Sequence, residues 1–199
     1  VMYNVIIGLD LAGSENRQSG FCLIQDDEII DYGILFTDKQ IISFIDEKKP
    51  DLIAIDAPFN LPKKGNFRDC DLLMKEIGLH PFPPTMPGMR LLVERVNRLL
   101  KIFREKNIEA IEVFPAGAIK FLGFKRKPKS ITERVKYLRE IISFIGLRSR
   151  RYIGRIRPDE FDAIICAITG YAYATQNYIE ITGEECTVIF PIEMTKWYR

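Results

Sequence analysis

Three apolar segments of this chain each end close to one acidic residue, and this repeated pattern constrains the fold more than any other feature. The segments are residues 5–13, 52–58 and 110–115, and their acids are Asp10, Asp56 and Glu112. An apolar run bounded by Gly or Pro is typical of a strand that is buried on both faces. A carboxylate in such a strand is unfavourable unless it is paired, hydrogen-bonded or bound to a metal. The pattern therefore predicts three neighbouring strands that direct three acids toward one metal-binding point.

The order of the predicted elements favours an α/β fold with a mixed sheet. Strands over 3–12, 19–25 and 28–36 are separated by short turns, which indicates an antiparallel meander. A helix that begins near Thr37 and ends before Pro50 leads to a strand at 52–57, which implies a right-handed crossover and parallel pairing. Further helices are expected at 67–77, 89–106, 116–122, 130–145 and 159–177, and further strands at 110–114 and 186–190. We predict a five-stranded sheet flanked by helices in one domain, 1–199, with a Pro-rich insertion at about 58–88.

Composition argues against several kinds of site and location. His80 is the only histidine, so a histidine-rich metal site and Ser-His-Asp catalysis are poorly supported. The four cysteines are far apart and form no C-x-x-C pair, which argues against a zinc cluster and a disulfide framework. No apolar run is long enough to span a membrane, and no signal-peptide pattern occurs. We therefore expect a cytoplasmic protein with reduced thiols and no membrane partner, whose chemistry depends on carboxylates.

The last predicted helix adds two acids to the three on the strands. Asp159 and Asp162 are three residues apart, so they share one helix face. Ligands gather beyond the carboxyl ends of parallel strands, and we expect one catalytic and metal-binding site formed by Asp10, Asp56, Glu112, Asp159 and Asp162. So many carboxylates repel one another, and a divalent cation relieves that repulsion. Oxygen ligands suit Mg²⁺ or Mn²⁺, and two such ions can activate a water and stabilise the leaving oxygen of a phosphodiester.

Each acid also has an alternative role that needs no metal. The strand acids could bond locally, Asp10 to backbone amides of the turn at 13–14, Asp56 as a turn residue, and Glu112 to a base such as Lys120. Asp159 could complement the dipole of its helix, and Asp162 could form an ordinary ion pair.

The charge of the chain is unevenly distributed. Between Gly117 and Pro158 there are thirteen lysines and arginines and only two glutamates, although the whole chain has a net charge of only +2. Such a segment suggests an anionic partner, and the alternative is a solvated helix face with basic loops. The predicted phosphate-binding residues are Lys120, Lys125, Arg126, Lys127, Lys129, Arg148, Arg150, Arg151, Arg155 and Arg157.

Five motifs, in this order along the chain, resemble a known family. They are IIGLDLAGS, IAIDAPFNLP, RDCDLL, EVFPAGAIKFLG and DEFDAIICAITGYAYA. Together they are similar to the domain-of-unknown-function family 429, a family of predicted nucleases with a ribonuclease H-like fold, and the resemblance extends from Ile6 to Pro191. It implies the strand order 3-2-1-4-5, dependence on a divalent metal and nuclease activity.

The resemblance also implies which acidic residue of this chain corresponds to each acid of the related proteins. The D-x-x-D pair, Asp159 and Asp162, is similar to that of RuvC-type Holliday-junction resolvases, and Asp10 corresponds to their first-strand aspartate. Asp56 departs from the resolvases, which carry Glu on this strand, and Glu112 matches the motif of family 429 and is less general in the fold.

The leading hypothesis is a metal-dependent nuclease that acts on DNA or RNA through two metal ions. One alternative is a nucleic-acid-binding module without catalysis, in which the acids hold a structural metal. The other is a nucleotide phosphate binder, because DLAGS is close to the D-x-G-x-[ST] phosphate loop of actin-like and sugar-kinase ATPases. Such proteins need two domains of this kind, and 199 residues have room for one. The oligomeric state is left open.

Overall fold

The computed structural model describes residues 3–196, which contain eight strands and six α-helices. The strands are β1 (Val5–Asp10), β2 (Ser19–Gln25), β3 (Glu28–Leu35), β4 (Leu52–Asp56), β5 (Glu109–Val113), β6 (Arg148–Ser149), β7 (Tyr178–Thr182) and β8 (Thr187–Pro191). The helices are α1 (Asp38–Lys48), α2 (Asp69–Glu76), α3 (Pro87–Glu105), α4 (Pro115–Phe121), α5 (Ile131–Ile145) and α6 (Pro158–Ala174). A 3₁₀ turn covers Met194–Lys196.

The strands form one mixed sheet in the order β6-β3-β2-β1-β4-β5-β8-β7. The predicted order 3-2-1-4-5 is the centre of this sheet, and β1, β4 and β5 are parallel as expected. The segment predicted at 186–190 joins the sheet as β8, beside β5. The unexpected strands are β6, which has only two residues, and β7, which is largely exposed at the sheet edge although its sequence, YIEIT, has the β-branched and aromatic residues typical of a strand.

Helices cover both faces of the sheet. Ile7, Leu9 and Ile53 face α1 and α3, whereas Ile6 and Leu52 face α4, α5 and α6. Because side chains alternate along a strand, Asp10 lies on the α6 side together with Ile6. Among the described residues, no helix has both the length and the apolar composition that crossing a bilayer requires.

A close contact between α6 and the sheet depends on glycine. A Cβ atom on Gly8 would lie 2.2 Å from the backbone oxygen of Ala163 and 2.3 Å from the backbone nitrogen of Ala167. One on Gly20 would lie 2.0 Å from the backbone oxygen of Asp159. Helix α6 therefore packs directly on the backbone of β1 and β2, and this contact sets how far Asp162 lies from Asp10.

Gly8→Ala is expected to destabilise the protein by about 1–3 kcal/mol, because the added methyl group meets helix backbone that cannot rotate away. The added methyl group should also push α6 away from β1. Any Mn²⁺ held jointly by Asp10 and Asp162 would then bind more weakly. Urea denaturation and a Mn²⁺ titration measure the two effects. Gly88→Ala is the matched control, since nothing lies within 4 Å of a Cβ there. Equal stability of the two variants would contradict the proposed contact.

The expectation of four reduced thiols is wrong in this structure. Cys70 on α2 and Cys186 before β8 form a disulfide with a Cα–Cα distance of 5.8 Å, while Cys22 and Cys166 are free and buried. The paired cysteines are 116 residues apart, so their spacing gave no signal. They meet because the β7–β8 turn lies against the start of α2, where the Asp69 carboxylate accepts hydrogen bonds from backbone amides of the turn.

Candidate metal centre

Three of the five predicted acids come together at one end of the sheet. Asp10 ends β1, and Asp56 ends β4 as its direct partner in the parallel ladder. Asp162 lies near the start of α6, on the helix that packs over β1. One carboxylate oxygen from each of the three lies within 4.8 Å of the others. We call this group the aspartate cluster.

Burial makes the aspartate cluster electrostatically unfavourable in its charged form. Burial, and then the charges of Asp56, Asp162 and Asp159, raise the pKa of Asp10 to about 9. Burial, and then the charge of Asp162, raise the pKa of Asp56 to about 7. Burial also raises the pKa of Asp162. Without added positive charge, the cluster therefore retains protons near neutral pH.

Lys127 is the basic residue that enters the aspartate cluster. Its Nζ donates a hydrogen bond to Oδ2 of Asp162. Burial lowers the pKa of Lys127, but this hydrogen bond and the charges of Asp162, Asp56 and Asp10 together outweigh it, so the net shift is upward. The sequence placed Lys127 among the phosphate-binding residues and gave no sign that it contacts an acid 35 positions away.

The donor atoms of the aspartate cluster fit a divalent cation. Oδ1 of Asp162 is buried and has no hydrogen-bond partner among the described residues. A buried carboxylate oxygen without a partner is unfavourable, and an ion bound there would supply one. Carboxylate oxygens without histidine or thiolate suit Mg²⁺ or Mn²⁺. The cluster could therefore hold such an ion.

Asp159 lies near the aspartate cluster without belonging to it. It is in the first turn of α6, and its charge acts on both Asp10 and Asp162. It also lines one cavity together with Asp10. Its place in the first turn equally fits the alternative role of complementing the helix dipole.

Glu112 was predicted to join Asp10 and Asp56 at one metal-binding point, but it is not part of the aspartate cluster. In the β4–β5 ladder Glu112 is paired with Ile55, whereas Asp56 is paired with Val113. Since successive side chains alternate, Glu112 points to the opposite face of the sheet from Asp56. Both its oxygens accept hydrogen bonds from Arg68, at 2.7 and 2.9 Å, and it also accepts one from the amide of Phe59. Glu112 therefore forms an ion pair, with Arg68 instead of Lys120.

Arg68 and Asp71 complete a buried ionic network that sequence reasoning missed. Arg68 bonds both Asp71 and Glu112 through its guanidinium, and the three side chains are at most 6% exposed. Its fifth N–H bond goes to Asn60. Burial raises the pKa of Glu112, although Arg68 opposes the shift. A usable signal was the position of Asp71, which shares the apolar face of α2 with Cys70 and Met74.

The predicted phosphate-binding residues are dispersed over the molecule. Several have partners in the fold: Arg126 pairs with Glu133, Arg150 with Glu28 and Arg151 with Asp31, and Lys120 donates to the carbonyl of Gly78. Of the ten predicted phosphate-binding residues, those that are exposed and have no ion pair within residues 3–196 are Lys125, Lys129, Arg148, Arg155 and Arg157.

Position separates these basic residues into two groups. In the β3–β6 ladder Arg148 is the register partner of Glu28. It therefore lies at the end of the sheet where β1 begins, about 16 Å from Asp10 along the strands. Lys125 and Lys129 flank Lys127 in sequence, while Arg155 and Arg157 immediately precede α6. Within the sequence, only this second group lies next to Lys127, which contacts the aspartate cluster, or next to α6, which carries Asp162.

Two cavities open at Asp10. The first, of about 330 Å³, also reaches Asp56 and Lys127 and extends over the Pro-rich segment and the start of α4. The second, of about 340 Å³, is bordered by the turn after β1 and by Asp159. The two share Leu11, Phe82, Met89 and Leu92. Asp10 therefore lies where the two cavities meet.

The protein has a ribonuclease H-like α/β fold. Its clustered carboxylates lie at the ends of β1 and β4 and near the start of α6. Residues 8–186 match the family described as "Protein of unknown function (DUF429)", and the chain belongs to that family. This confirms the resemblance found in the sequence motifs. A search of curated proteins by sequence gives no significant match.

Two solved structures of Thermus thermophilus RuvC are similar in fold. One is RuvC in complex with a Holliday junction substrate, with 12% identity and a TM-score of 0.54, and the other is RuvC with 12% identity and a TM-score of 0.50. Each comparison covers 86% of this chain and 96% of the RuvC chain. The similarity confirms the predicted fold, to which the present chain adds β6, β7 and β8 around the five central strands.

Proposed function

We propose that this protein is a nuclease that hydrolyses phosphodiester bonds with Mg²⁺ or Mn²⁺. The observation that carries the proposal is the aspartate cluster, with three carboxylates within 4.8 Å and a buried oxygen that lacks a partner. The fold shared with RuvC supports nucleic acid as the substrate, because one RuvC structure contains a Holliday junction. DNA and RNA remain equal candidates in this proposal.

In the proposed site, Asp10, Asp56 and Asp162 would hold the cation. A bound divalent ion would lower the pKa of a water and offset the charge that develops on the leaving oxygen. The strand ladder fixes Asp10 beside Asp56, and the contact at Gly8 fixes Asp162 over them. We further propose that the site binds two ions, with Asp159 as a fourth carboxylate ligand. Asp159 is close enough for its charge to act on Asp10 and Asp162.

Lys127 has a separate role in this proposal. Its ammonium group donates to Asp162 and its side chain is 40% exposed, so it can turn from Asp162 to a phosphate oxygen of an incoming strand. Lys125, Lys129, Arg155 and Arg157 would attract the strand without fixing its sequence. Arg148 and Arg150 are not included, because they lie at the other end of the sheet.

A cleavage assay tests the proposal. Purified protein is incubated with single-stranded, duplex and junction DNA and RNA in Mg²⁺, in Mn²⁺ and in a chelator. We expect metal-dependent cleavage that falls by at least about 100-fold in Asp10→Asn, because that variant loses a metal ligand. Asp46→Asn, which alters an exposed ion pair with Lys106, should retain wild-type activity.

Two outcomes would overturn the nuclease proposal. Cleavage that persists unchanged in Asp10→Asn would place the active site elsewhere or indicate a contaminant. Salt-sensitive binding of nucleic acid with no cleavage under any metal would favour the non-catalytic binding module.

A further inference from the structure

We propose that the first cavity at Asp10 is a pocket for one unpaired nucleobase, so that the substrate is a single strand or carries an extrahelical nucleotide. This inference rests on the proposed function, which places a phosphate at the aspartate cluster. It specifies what lies next to that phosphate.

The lining of the first cavity is both charged and apolar. Asp10, Asp56 and Lys127 line it at the aspartate cluster, and Met74, Phe82, Met89, Leu92 and Phe114 form the part that we call the apolar wall. A sugar–phosphate backbone is polar throughout and gains nothing from such a wall. The apolar part of a nucleotide is the face of its base, which stacks favourably on aromatic and apolar side chains. An apolar wall beside a phosphate site therefore fits a base.

Phe82 is placed to stack on a base. It is 67% exposed, the largest fraction among the phenylalanines of the described chain, although burial would be favourable for such a side chain. It lines both cavities, as Met89 does. A strand that crosses Asp10 from one cavity to the other would pass this side chain, and consecutive bases could lie on its two sides.

Arg68, which also lines the first cavity, does not compete for phosphate. All five guanidinium N–H bonds of Arg68 are taken by Asp71, Glu112 and Asn60. Arg68 therefore holds the cavity wall in place and does not act as a free anion receptor. The positive charge available to a phosphate is on Lys127, at the aspartate cluster, which orients the nucleotide with its base toward the apolar wall.

A base inside a duplex cannot enter this cavity. Bases in a duplex are stacked and paired, and enzymes that act on one base must receive single strands or extrude the nucleotide at a cost of a few kcal/mol. That cost is smallest for a base that is already unpaired. The cavity therefore selects against perfect duplex and in favour of single strands, bulges and ends.

Equilibrium binding tests the pocket independently of cleavage. Fluorescence anisotropy in Ca²⁺ is measured with a labelled single strand, its perfect duplex and the same duplex with one bulged nucleotide. We expect the single strand and the bulge to bind at least about 10-fold more tightly than the duplex. Phe82→Ala should weaken single-strand and bulge binding by about 5- to 150-fold and leave duplex binding unchanged, as loss of one stacking partner predicts.

Phe144→Ala is the matched control, because it removes a partly exposed phenylalanine of α5 that lines neither cavity. Thermal melting verifies that both variants fold. Equal affinity for duplex and single strand, or equal affinities of Phe82→Ala and Phe144→Ala, would overturn the pocket. A failed nuclease would be recognised differently, by Phe82-dependent binding without any Asp10-dependent cleavage.

Discussion

Asp10→Asn is expected to raise the melting temperature of the metal-free protein at pH 8 by about 4–8 °C, corresponding to about 2 kcal/mol of added stability. The reason is that folding at pH 8 forces Asp10 either to take up a proton or to carry a charge beside Asp56 and Asp162. An amide keeps the shape of the carboxyl group and avoids both costs, because it has no charge and takes up no proton. Differential scanning calorimetry in a chelator measures the change.

The dependence on pH follows from the direction of the shifts. The pKa values of Asp10 and Asp56 rise from 3.8 to about 9 and about 7, so the native state binds more protons than the unfolded state above about pH 4. The free energy of unfolding of the wild type therefore decreases as the pH rises through this window, and the loss is complete only above about pH 9. Asp10→Asn should show a smaller decrease between pH 5 and 8.

Added Mn²⁺ should reverse the order of the two proteins. In the proposed site the ion would bind the native wild type and stabilise it by RT ln(1 + c/Kd), where c is the Mn²⁺ concentration, so the gain would grow with the logarithm of that concentration, whereas Asp10→Asn lacks one ligand. Asp46→Asn should behave as the wild type with and without Mn²⁺, since Asp46 is half exposed on α1. A metal-free Asp10→Asn protein that is less stable than the wild type would show that Asp10 serves the fold and not a cation.

Arg68→Met is expected to destabilise the protein by about 3–5 kcal/mol, the cost of removing one partner from a buried ionic network. Asp71 and Glu112 are 1% and 6% exposed and would lose their shared cation. Burial already raises the pKa of Glu112 against the effect of Arg68, and the variant removes that opposition. The stability deficit should therefore increase as the pH rises from 5 to 8. Urea denaturation at both pH values measures it.

Two further variants separate a buried network from an ordinary ion pair. Arg126→Met removes an exposed pair with Glu133 and should cost less than about 1 kcal/mol. Adding Glu112→Gln to Arg68→Met removes one uncompensated charge, so the double variant should be more stable than Arg68→Met alone. Arg68→Met and Arg126→Met with the same stability would contradict the network.

Much of the fold could be predicted because its signals are local. The apolar runs of β1, β4 and β5, the proline at the first position of α6, and the capping Ser130 with Glu133 at α5 all act over a few residues. The edge strand β7 was missed although its signal is local, because YIEIT has the β-branched and aromatic residues that favour a strand. The Cys70–Cys186 disulfide could not be predicted, because it joins segments 116 residues apart.

The candidate site also has features that local sequence signals reveal and features that depend on long-range contacts. From the residue pattern alone, Asp10 and Asp56 are recognisable as acids at the ends of buried strands, where burial demands a partner for each. Which acids meet depends on long-range packing. Pairing register placed Glu112 on the other face of the sheet, and helix packing at Gly8 brought Asp162 to Asp10. The physical reason is that strand side chains alternate with every residue, so their direction depends on long-range pairing that composition does not encode.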